Sequence, residues 1–243
     1  MTKPDKFGIQ DEQYVFPYHH LVGFTPFNNY QVMSWGFEYY AYISKVLEKI
    51  MSEPFISILD VGCGEGKMLL ELSKRVENIK IKGIDLSDRA ILFAKAFNYG
   101  NGTEFVCEDI SITKEVFDVV TLIETIEHVP DSEITALVSA VYDRTARGGR
   151  VIVTVPTVNF PLIDKHYRHY DLALLSSQFS QFILESSLFM IRQGFMYSAL
   201  IRLSRKFATF GLLRSFFFHV AQKLIFLATP TTGRHLIVVF RKP

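Results

Sequence analysis

The sequence predicts an α/β domain, a parallel sheet with helices wound over both of its faces. Three observations carry that prediction. From residue 55 onward, short β-rich runs alternate with helical ones, as right-handed crossovers between parallel strands require. A glycine run, Gly62, Gly64 and Gly66 in "LDVGCGEGK", stands between the first strand and the first helix of that series. Two carboxylates, Asp85 and Asp109, end the next two strands.

The elements follow in order. Residues 30 to 51 read as an aromatic-rich helix ahead of the sheet. "FISILDVG" (55–62) is a buried-strand run, and "GKMLLELSKRV" (66–76) has helical spacing. "IKIKGIDLS" (79–87) is a strand and "DRAILFAKAFN" (88–98) a helix. "TEFVCEDI" (103–110) and "VFDVVTLIE" (116–124) are further strands. "DSEITALVSAVYDRTA" (131–146) is a helix opened by Asp131 or Ser132 as cap. "GGRVIVTVP" (148–156) is a strand entered from a double-glycine turn. Beyond it, "DLALLSSQFSQFILESS" (171–187) reads as a helix, and "LFMIRQGF" (188–195) and "RHLIVVFRK" (234–242) as strands. This divides the chain into an N-terminal arm, residues 1–54, and a domain, 55–243, with a helical insertion at about 197–230.

Composition restricts the function classes. Nearly half of the 243 residues are apolar and a fifth are charged, which suits a packed globular chain. Cys63 and Cys107 form no spaced pair, so neither a disulfide framework nor a thiolate zinc site is expected. The polar opening "MTKPDKFGIQDEQ" has no apolar signal-peptide core, and a cytoplasmic location is the simplest expectation. Net charge is +1, but no acid follows Glu185. That same span carries Arg192, Arg202, Arg205, Lys206, Arg214, Lys223, Arg234, Arg241 and Lys242. One-sided charge of this kind attracts an anionic partner: a membrane surface, a phosphorylated substrate or nucleic acid.

The glycine run is the feature that bears on chemistry. A backbone that approaches a ligand closely needs residues without a Cβ. The spacing here is G-x-G-x-G, rather than the dinucleotide G-x-G-x-x-G. Asp60 lies on the strand just before it. Asp85 stands where a carboxylate can accept from ribose hydroxyls, and Asp109 where one can accept from an exocyclic amine.

With these motifs in this order, residues 55 to 156 resemble the class I S-adenosylmethionine-dependent methyltransferases. "ILDVGCGEGK" is similar to the family's first motif, "GIDLS" to its acidic second and "CEDI" to its third. "FDVVTLIETIEHV" resembles the fourth strand and "ARGGRVIVTVP" the fifth. The resemblance implies a Rossmann-like, doubly wound, seven-stranded sheet whose last strand, "RHLIVVFRK", runs antiparallel. It implies that Asp60, Gly62, Gly64 and Gly66 shape the amino-acid end of a pocket for S-adenosyl-L-methionine. Asp85 would bind the ribose, Leu86 would pack on the adenine, and Asp109 with Ile110 would hold its amine edge.

"LIETIEHVPD" (122–131) brings Glu124, Glu127 and His128 within five positions. On a helix the three would share a face. The site edge after the fourth strand suits acid–base or substrate contacts, and Glu124, His128, His166 and His169 are the candidate catalytic residues. Histidine suits proton transfer near neutral pH. By resemblance, a narrower branch, the small-RNA 3′-terminal 2′-O-methyltransferases, uses E-x-x-E-H plus a later histidine to hold a divalent metal. Here that set would be Glu124, Glu127 and His128 with His166 or His169 from "DKHYRHYD" (164–171). The His-Phe-Glu-Trp run of that branch is absent, so a metal-free site is the expectation.

The reaction expected is methyl transfer to an oxygen, with carbon or nitrogen behind it, of a small metabolite, glycan or lipid-linked acceptor. The alternatives are a metal-assisted RNA 2′-O-methyltransferase and a non-catalytic cofactor-binding or assembly partner. In the N-terminal arm, His19 and His20 stand among aromatics, with Tyr18 and His19 as candidate acceptor contacts. Residues 207–228 are too interrupted for a membrane span. On a helix they place Ser215, His219, Gln222 and Lys223 on one narrow face, opposite a wide apolar arc including Phe217 and Leu224. Packing or a homodimer contact is the expectation there, with peripheral membrane contact the alternative. No nucleic-acid-binding module is visible, so nucleic acid is not an expected partner.

Overall fold

The computed structural model describes residues 6–12, 14, 23–25, 28–31, 34–192 and 225–243, with isolated positions between 193 and 224. Two short strands, β1 (Gly23–Thr25) and β2 (Asn28–Gln31), pair antiparallel ahead of a long helix, α2 (Ser34–Ile50); a short helix, α1 (Lys6–Glu12), precedes them. The main sheet has seven strands: β3 (Ser57–Val61), β4 (Lys80–Asp85), β5 (Glu104–Cys107), β6 (Phe117–Ile123), β7 (Thr145–Pro156), β8 (Ile183–Arg192) and β9 (Gly233–Arg241). Their order across the sheet is β5-β4-β3-β6-β7-β9-β8. β9 runs antiparallel to both of its neighbours, and the pairs from β5 through to β7 are parallel. The chain therefore reverses its winding at β3, where β4 lies on one side and β6 on the other. Such a switch point opens a crevice beyond the strands' carboxyl ends.

Helices α3 (Lys67–Ser73), α4 (Asp88–Phe97), α5 (Ile134–Arg144) and α6 (Leu172–Gln178) complete the layers. Neighbouring side chains on each strand enter opposite cores, as a pleat of period two demands. Ile58, Val119, Ile152 and Ile237 pack with Tyr42, Val46 and Ile50 of α2, Leu69 and Leu72 of α3 and Ile91 of α4. Their neighbours Leu59, Val120, Val151, Val153 and Val238 pack with Val138 and Val141 of α5 and Leu175 of α6. Burial on both faces explains why these strands read as continuous apolar runs instead of alternating ones.

Two polar side chains tie the layers at their base. Asp118 of β6 accepts from the Ile56 and Ser57 amides and the Ser57 hydroxyl, which holds the entry to β3. Arg150, 3% exposed on β7, donates to the carbonyls of Lys49 and Ile50 and to Ser52 Oγ. The last carbonyls of a helix lack intrahelical donors, and a guanidinium completes them while opposing the helix dipole.

The sequence differs from this structure in three places. The helix expected over 171–187 stops at Gln178, and "ILESS" opens β8 instead of closing a helix. β8 and β9 pair from Ile183↔Arg241 to Arg192↔Gly233, so pairing overrides local helical spacing there. The cap expected at Asp131 or Ser132 is not made: α5 starts after Glu133 without a side-chain cap, and Asp131 binds Arg168. The E-x-x-E-H stretch is no α-helix, since Ile126–His128 form a single 3-10 turn. Tyr18, His19, His20 and most of 197–230, including Phe217 and Leu224, lie outside the described residues. Among those described, no helix is long and apolar enough to cross a membrane.

Replacing Arg150 with alanine removes a donor from the Lys49 and Ile50 carbonyls, of which Lys49 keeps the Ser52 hydroxyl and amide. The expected cost is about 2–4 kcal/mol in urea unfolding. A loss below about 1 kcal/mol would show that water completes those carbonyls instead.

Candidate functional site

Two adjoining cavities occupy the crevice above β3, β4, β6 and β7. One, of about 350 Å³, is lined by Asp85, Leu86, Asp109 and Ile110. The other, of about 460 Å³, is lined by Asp60, Gly62, Gly64, Glu127, His128, His166, Arg234 and His235. Gln10, Tyr14, Gly62, Glu124 and His128 border both. They are two halves of one cleft.

The glycine turn forms the wall between β3 and α3. All three glycines hold left-handed backbone, with φ of 72° at Gly62, 54° at Gly64 and 73° at Gly66. A Cβ on Gly62 would stand 2.5 Å from Thr125 Cγ2, and one on Gly66 2.7 Å from both Asn98 Nδ2 and Phe105 Cζ. The turn is thus fixed by backbone conformation and by close packing. Asp85 closes it from β4: Oδ2 accepts from the Gly64 amide at 2.9 Å and Oδ1 from the Ser87 amide at 2.8 Å. A carboxylate has about four acceptor positions, so about two remain for ligand hydroxyls. Leu86 is 59% exposed beside it, an apolar surface suited to cover by a flat ring. Asp109 Oδ1 accepts from the Ser111 amide. Asp60, 2% exposed, accepts from Thr121 Oγ1 at 2.6 Å. Burial pushes its carboxyl up to about 7, against the Thr121 bond and with help from Asp85. These residues bring open backbone, a placed carboxylate and an apolar shelf together along one wall of the cleft.

The other half is a histidine-lined chamber. After β6 the chain turns at Glu124, whose φ of 52° is unusual for a residue with a side chain. Glu124 Oε1 accepts from the Tyr42 hydroxyl at 2.8 Å, and Oε2 lies 3.2 Å from His235 Nδ1. Tyr42 also bonds Thr154 Oγ1, so α2, β6, β7 and β9 meet on one carboxylate. Burial alone would raise the Glu124 carboxyl; His235, Tyr42 and His166 outweigh it and hold the group below its usual range.

The 3-10 turn then carries Glu127 and His128 into the chamber, opposite His166. The expected ligand set of Glu124, Glu127, His128 and His166 is not assembled whole. Glu127, His128 and His166 each offer an atom within 4.8 Å of the others, while Glu124 is turned to Tyr42 and His235. His169 stands behind His166 rather than beside the trio.

Hydrogen bonding orders the imidazoles. The Phe160 carbonyl can only accept, so His169 Nδ1 donates to it at 2.8 Å. His169 Nε2 then accepts from His166 Nδ1, also at 2.8 Å. The Lys165 carbonyl likewise takes the Nδ1 proton of His128 at 3.1 Å. In both His128 and His166 the Nε2 lone pair is left free toward the chamber. Burial, reinforced by Lys165, pushes His128 down to about 4; burial, with His128 and His169 beside it, pushes His166 down to about 3. Glu127 is fully buried, and neither of its oxygens has a hydrogen-bond partner among the described residues. Burial, then the Glu124 charge, raise its carboxyl well above the usual range.

The arm reaches the cleft through α1. Lys6 Nζ donates to the carbonyls of Asp164 and His166, each at 2.7 Å, while Asp11 accepts from Ser87 Oγ and pairs with Arg89. Tyr42, Thr154, His235, Lys165, Phe160 and Arg234 were not legible as site residues from the sequence. Each comes from a helix, strand or loop that reads as scaffold, and none carries a local motif.

Known proteins share this fold. Residues 35–191 match the family model described as a methyltransferase domain, and the chain belongs to that family of S-adenosylmethionine-dependent methyltransferases. Over 128 residues it is 28% identical to the ubiquinone biosynthesis O-methyltransferase of Pseudomonas putida (strain W619), covering 50% of each chain. The chain spans about half the length of the curated relatives it matches. Among solved structures it resembles magnesium protoporphyrin IX methyltransferase from Synechocystis PCC 6803 with bound S-adenosylmethionine. The TM-score is 0.65 at 14% identity over 100% of both chains. It also resembles the N-methyltransferase NodS from Bradyrhizobium japonicum WM9 with S-adenosyl-l-homocysteine, at TM-score 0.62 and 12% identity over 99% and 100% of the chains.

Nitrogen NMR of histidine-labelled, chelator-treated protein is expected to show both rings neutral at pH 5.5. Their protonation midpoints should fall near 4 for His128 and 3 for His166, against an ordinary 6.5. A folded pKa lowered for a base means the unfolded chain binds more protons. Stability from this pair is therefore complete above about pH 6.5 and is lost as pH falls toward 4. Ordinary midpoints for both rings would contradict this network.

Proposed function

We propose that the chain transfers a methyl group from S-adenosylmethionine to an oxygen of a small-molecule acceptor bound in the histidine-lined chamber. The observation that carries this reading is the cleft itself, with an adenosyl-shaped cradle on one side and two neutral imidazoles with free Nε2 lone pairs on the other. The O-methyltransferase named among the relatives supports an oxygen acceptor over carbon or nitrogen. Glycan and lipid-linked acceptors are finer classes that no residue of the chamber singles out, and the RNA reading has no further support.

When bound, S-adenosylmethionine supplies a sulfonium methyl for in-line displacement. Asp85 accepts from the ribose hydroxyls while its own orientation is held by Gly64 and Ser87. Leu86 and Ile110 cover the base, and Asp109 accepts from its amine. The glycine turn admits the amino-acid end next to Asp60. On the acceptor side, His166 takes the hydroxyl proton at Nε2. His169 and the Phe160 carbonyl keep the His166 Nδ1 proton in place, so the ring cannot present the wrong nitrogen. His128 stands ready at the same chamber face, and Glu124 fixes the turn that aims it. The α1 contacts to Ser87 and to residues 164–166 suit an arm that closes over the bound pair.

A second reading is favoured by Glu127, buried with no hydrogen-bond partner for either oxygen among the described residues. Glu127, His128 and His166 fit a divalent cation, since one carboxylate and two unprotonated imidazoles suit several divalent metals. Such an ion would supply Lewis acidity toward an acceptor hydroxyl.

Calorimetry with S-adenosylhomocysteine tests the cradle: Asp85→Ala is expected to weaken binding by about tenfold or more. Unchanged affinity would discredit the pocket. The acceptor can be sought by incubating the protein and radiolabelled donor with metabolite extract; on that acceptor, His166→Ala should lower kcat by about 10²–10⁴. The two readings part on a chelator. Turnover that survives it, with no heat on titrating manganese or zinc, leaves the imidazoles as bases. Turnover lost on chelation and regained with metal, and Glu127→Gln abolishing metal binding, would establish the ion instead.

A further inference from the structure

We infer that the acceptor is an acid, a molecule whose carboxylate or phosphate is held by Arg234 on the chamber wall. The inference rests on the reading of the larger cavity as the acceptor side. Arg234 is the second residue of β9, half-buried, and lines that cavity with His235. Its guanidinium carbon stands 4.2 Å above the Phe160 ring. That ring stacks in turn on His169, at 5.5 Å between centroids and 12° between planes. The arginine is therefore positioned by an aromatic platform rather than by an ion pair.

Among the described residues no carboxylate pairs with Arg234. The acids of the same cavity are engaged or set apart: Asp60 accepts from Thr121, Glu124 from Tyr42, Glu127 lies sealed beside His128, and Glu65 is buried in the glycine turn that follows β3. Nor can the segment leading into β9 supply a counter-charge, because no Asp or Glu occurs after Glu185. Lys67 and Lys165 line the cavity as well. A partly buried cation without a counter-ion is costly, and an oxyanion offsets that cost. The guanidinium fork matches the two oxygens of a carboxylate or phosphate. The cavity, at about 460 Å³, has the size of a small-ligand site.

Topology separates this anchor from the cofactor. β9 is separated from β3 by β7 and β6, whereas the adenosyl cradle spans β3, β4 and β5. The anion at Arg234 is thus assigned to the acceptor, with the histidine face left to the reacting oxygen.

The test is calorimetry on protein loaded with S-adenosylhomocysteine, titrated with benzoate, phenyl phosphate and benzamide. Benzoate or phenyl phosphate should bind, and benzamide about tenfold more weakly or not at all. Whichever anion binds more tightly identifies the oxyanion. Arg234→Gln should lose at least about tenfold in anion affinity while keeping its affinity for S-adenosylhomocysteine, and Arg234→Lys should retain part of it. If Arg234→Gln fails to fold, the graded loss in Arg234→Lys carries the same reading. Failure of both anions to bind the native loaded protein would overturn the inference, as would equal binding of benzamide or undiminished binding in the variants. Failure of S-adenosylhomocysteine to bind the native chain would strike the methyltransferase cleft instead.

Discussion

The turn at Glu124 is the junction on which the histidine-lined chamber depends. It sits where β6 leaves the sheet, in a left-handed conformation that costs free energy in a residue with a Cβ. Contacts from three other elements over-determine it: Tyr42 from α2, His235 from β9, and Thr154 of β7, which receives the Glu124 amide on its hydroxyl and carbonyl. Only because the chain turns sharply there does the following 3-10 turn, and not a continued strand or α-helix, carry Glu127 and His128 into the cleft. The cofactor side does not share this dependence. Its glycine turn and Asp85 are held by each other, through one amide-to-carboxylate bond.

This division gives the two halves of the cleft different physical characters. The cradle is made of backbone and of acids at strand tips, groups whose position follows directly from a parallel sheet. The chamber is made of titratable side chains packed at one face, where burial decides protonation. Burial disfavours the charged forms of His128, His166 and Glu127, so the chamber can hold three ionisable groups together without three charges. Neutral imidazoles with fixed tautomers are able to accept a proton or a metal, and both uses draw on the same two lone pairs.

The parallel core and its glycine turn were legible because they are local. Strands buried on both faces are continuous apolar runs, and a turn needing left-handed backbone shows as glycine. The E-x-x-E-H stretch was legible as chemistry but not as geometry: spacing suggested one helical face, whereas the Glu124 turn sends its carboxylate away from Glu127 and His128. The start of β8 was misread because Ser186 and its neighbours take their conformation from pairing with β9, some fifty residues later. Asp131 looked like a helix cap, but an arginine from the loop after β7 reaches it first.

What the sequence by itself determined, then, is the class of fold and the glycine turn with the strand-tip acids beside it, since both rest on neighbouring residues and strand-by-strand patterning. The family model over residues 35–191 bears on that same portion. Only the tertiary structure decided how the histidine-lined chamber is assembled. Tyr42, Arg234 and His235 come from a helix and the last strand, far along the chain from the E-x-x-E-H stretch and from His166, which the sequence had singled out. Which carboxylate meets which imidazole depends on distances that no spacing rule contains. Burial then converts those distances into protonation states, and protonation states into chemistry.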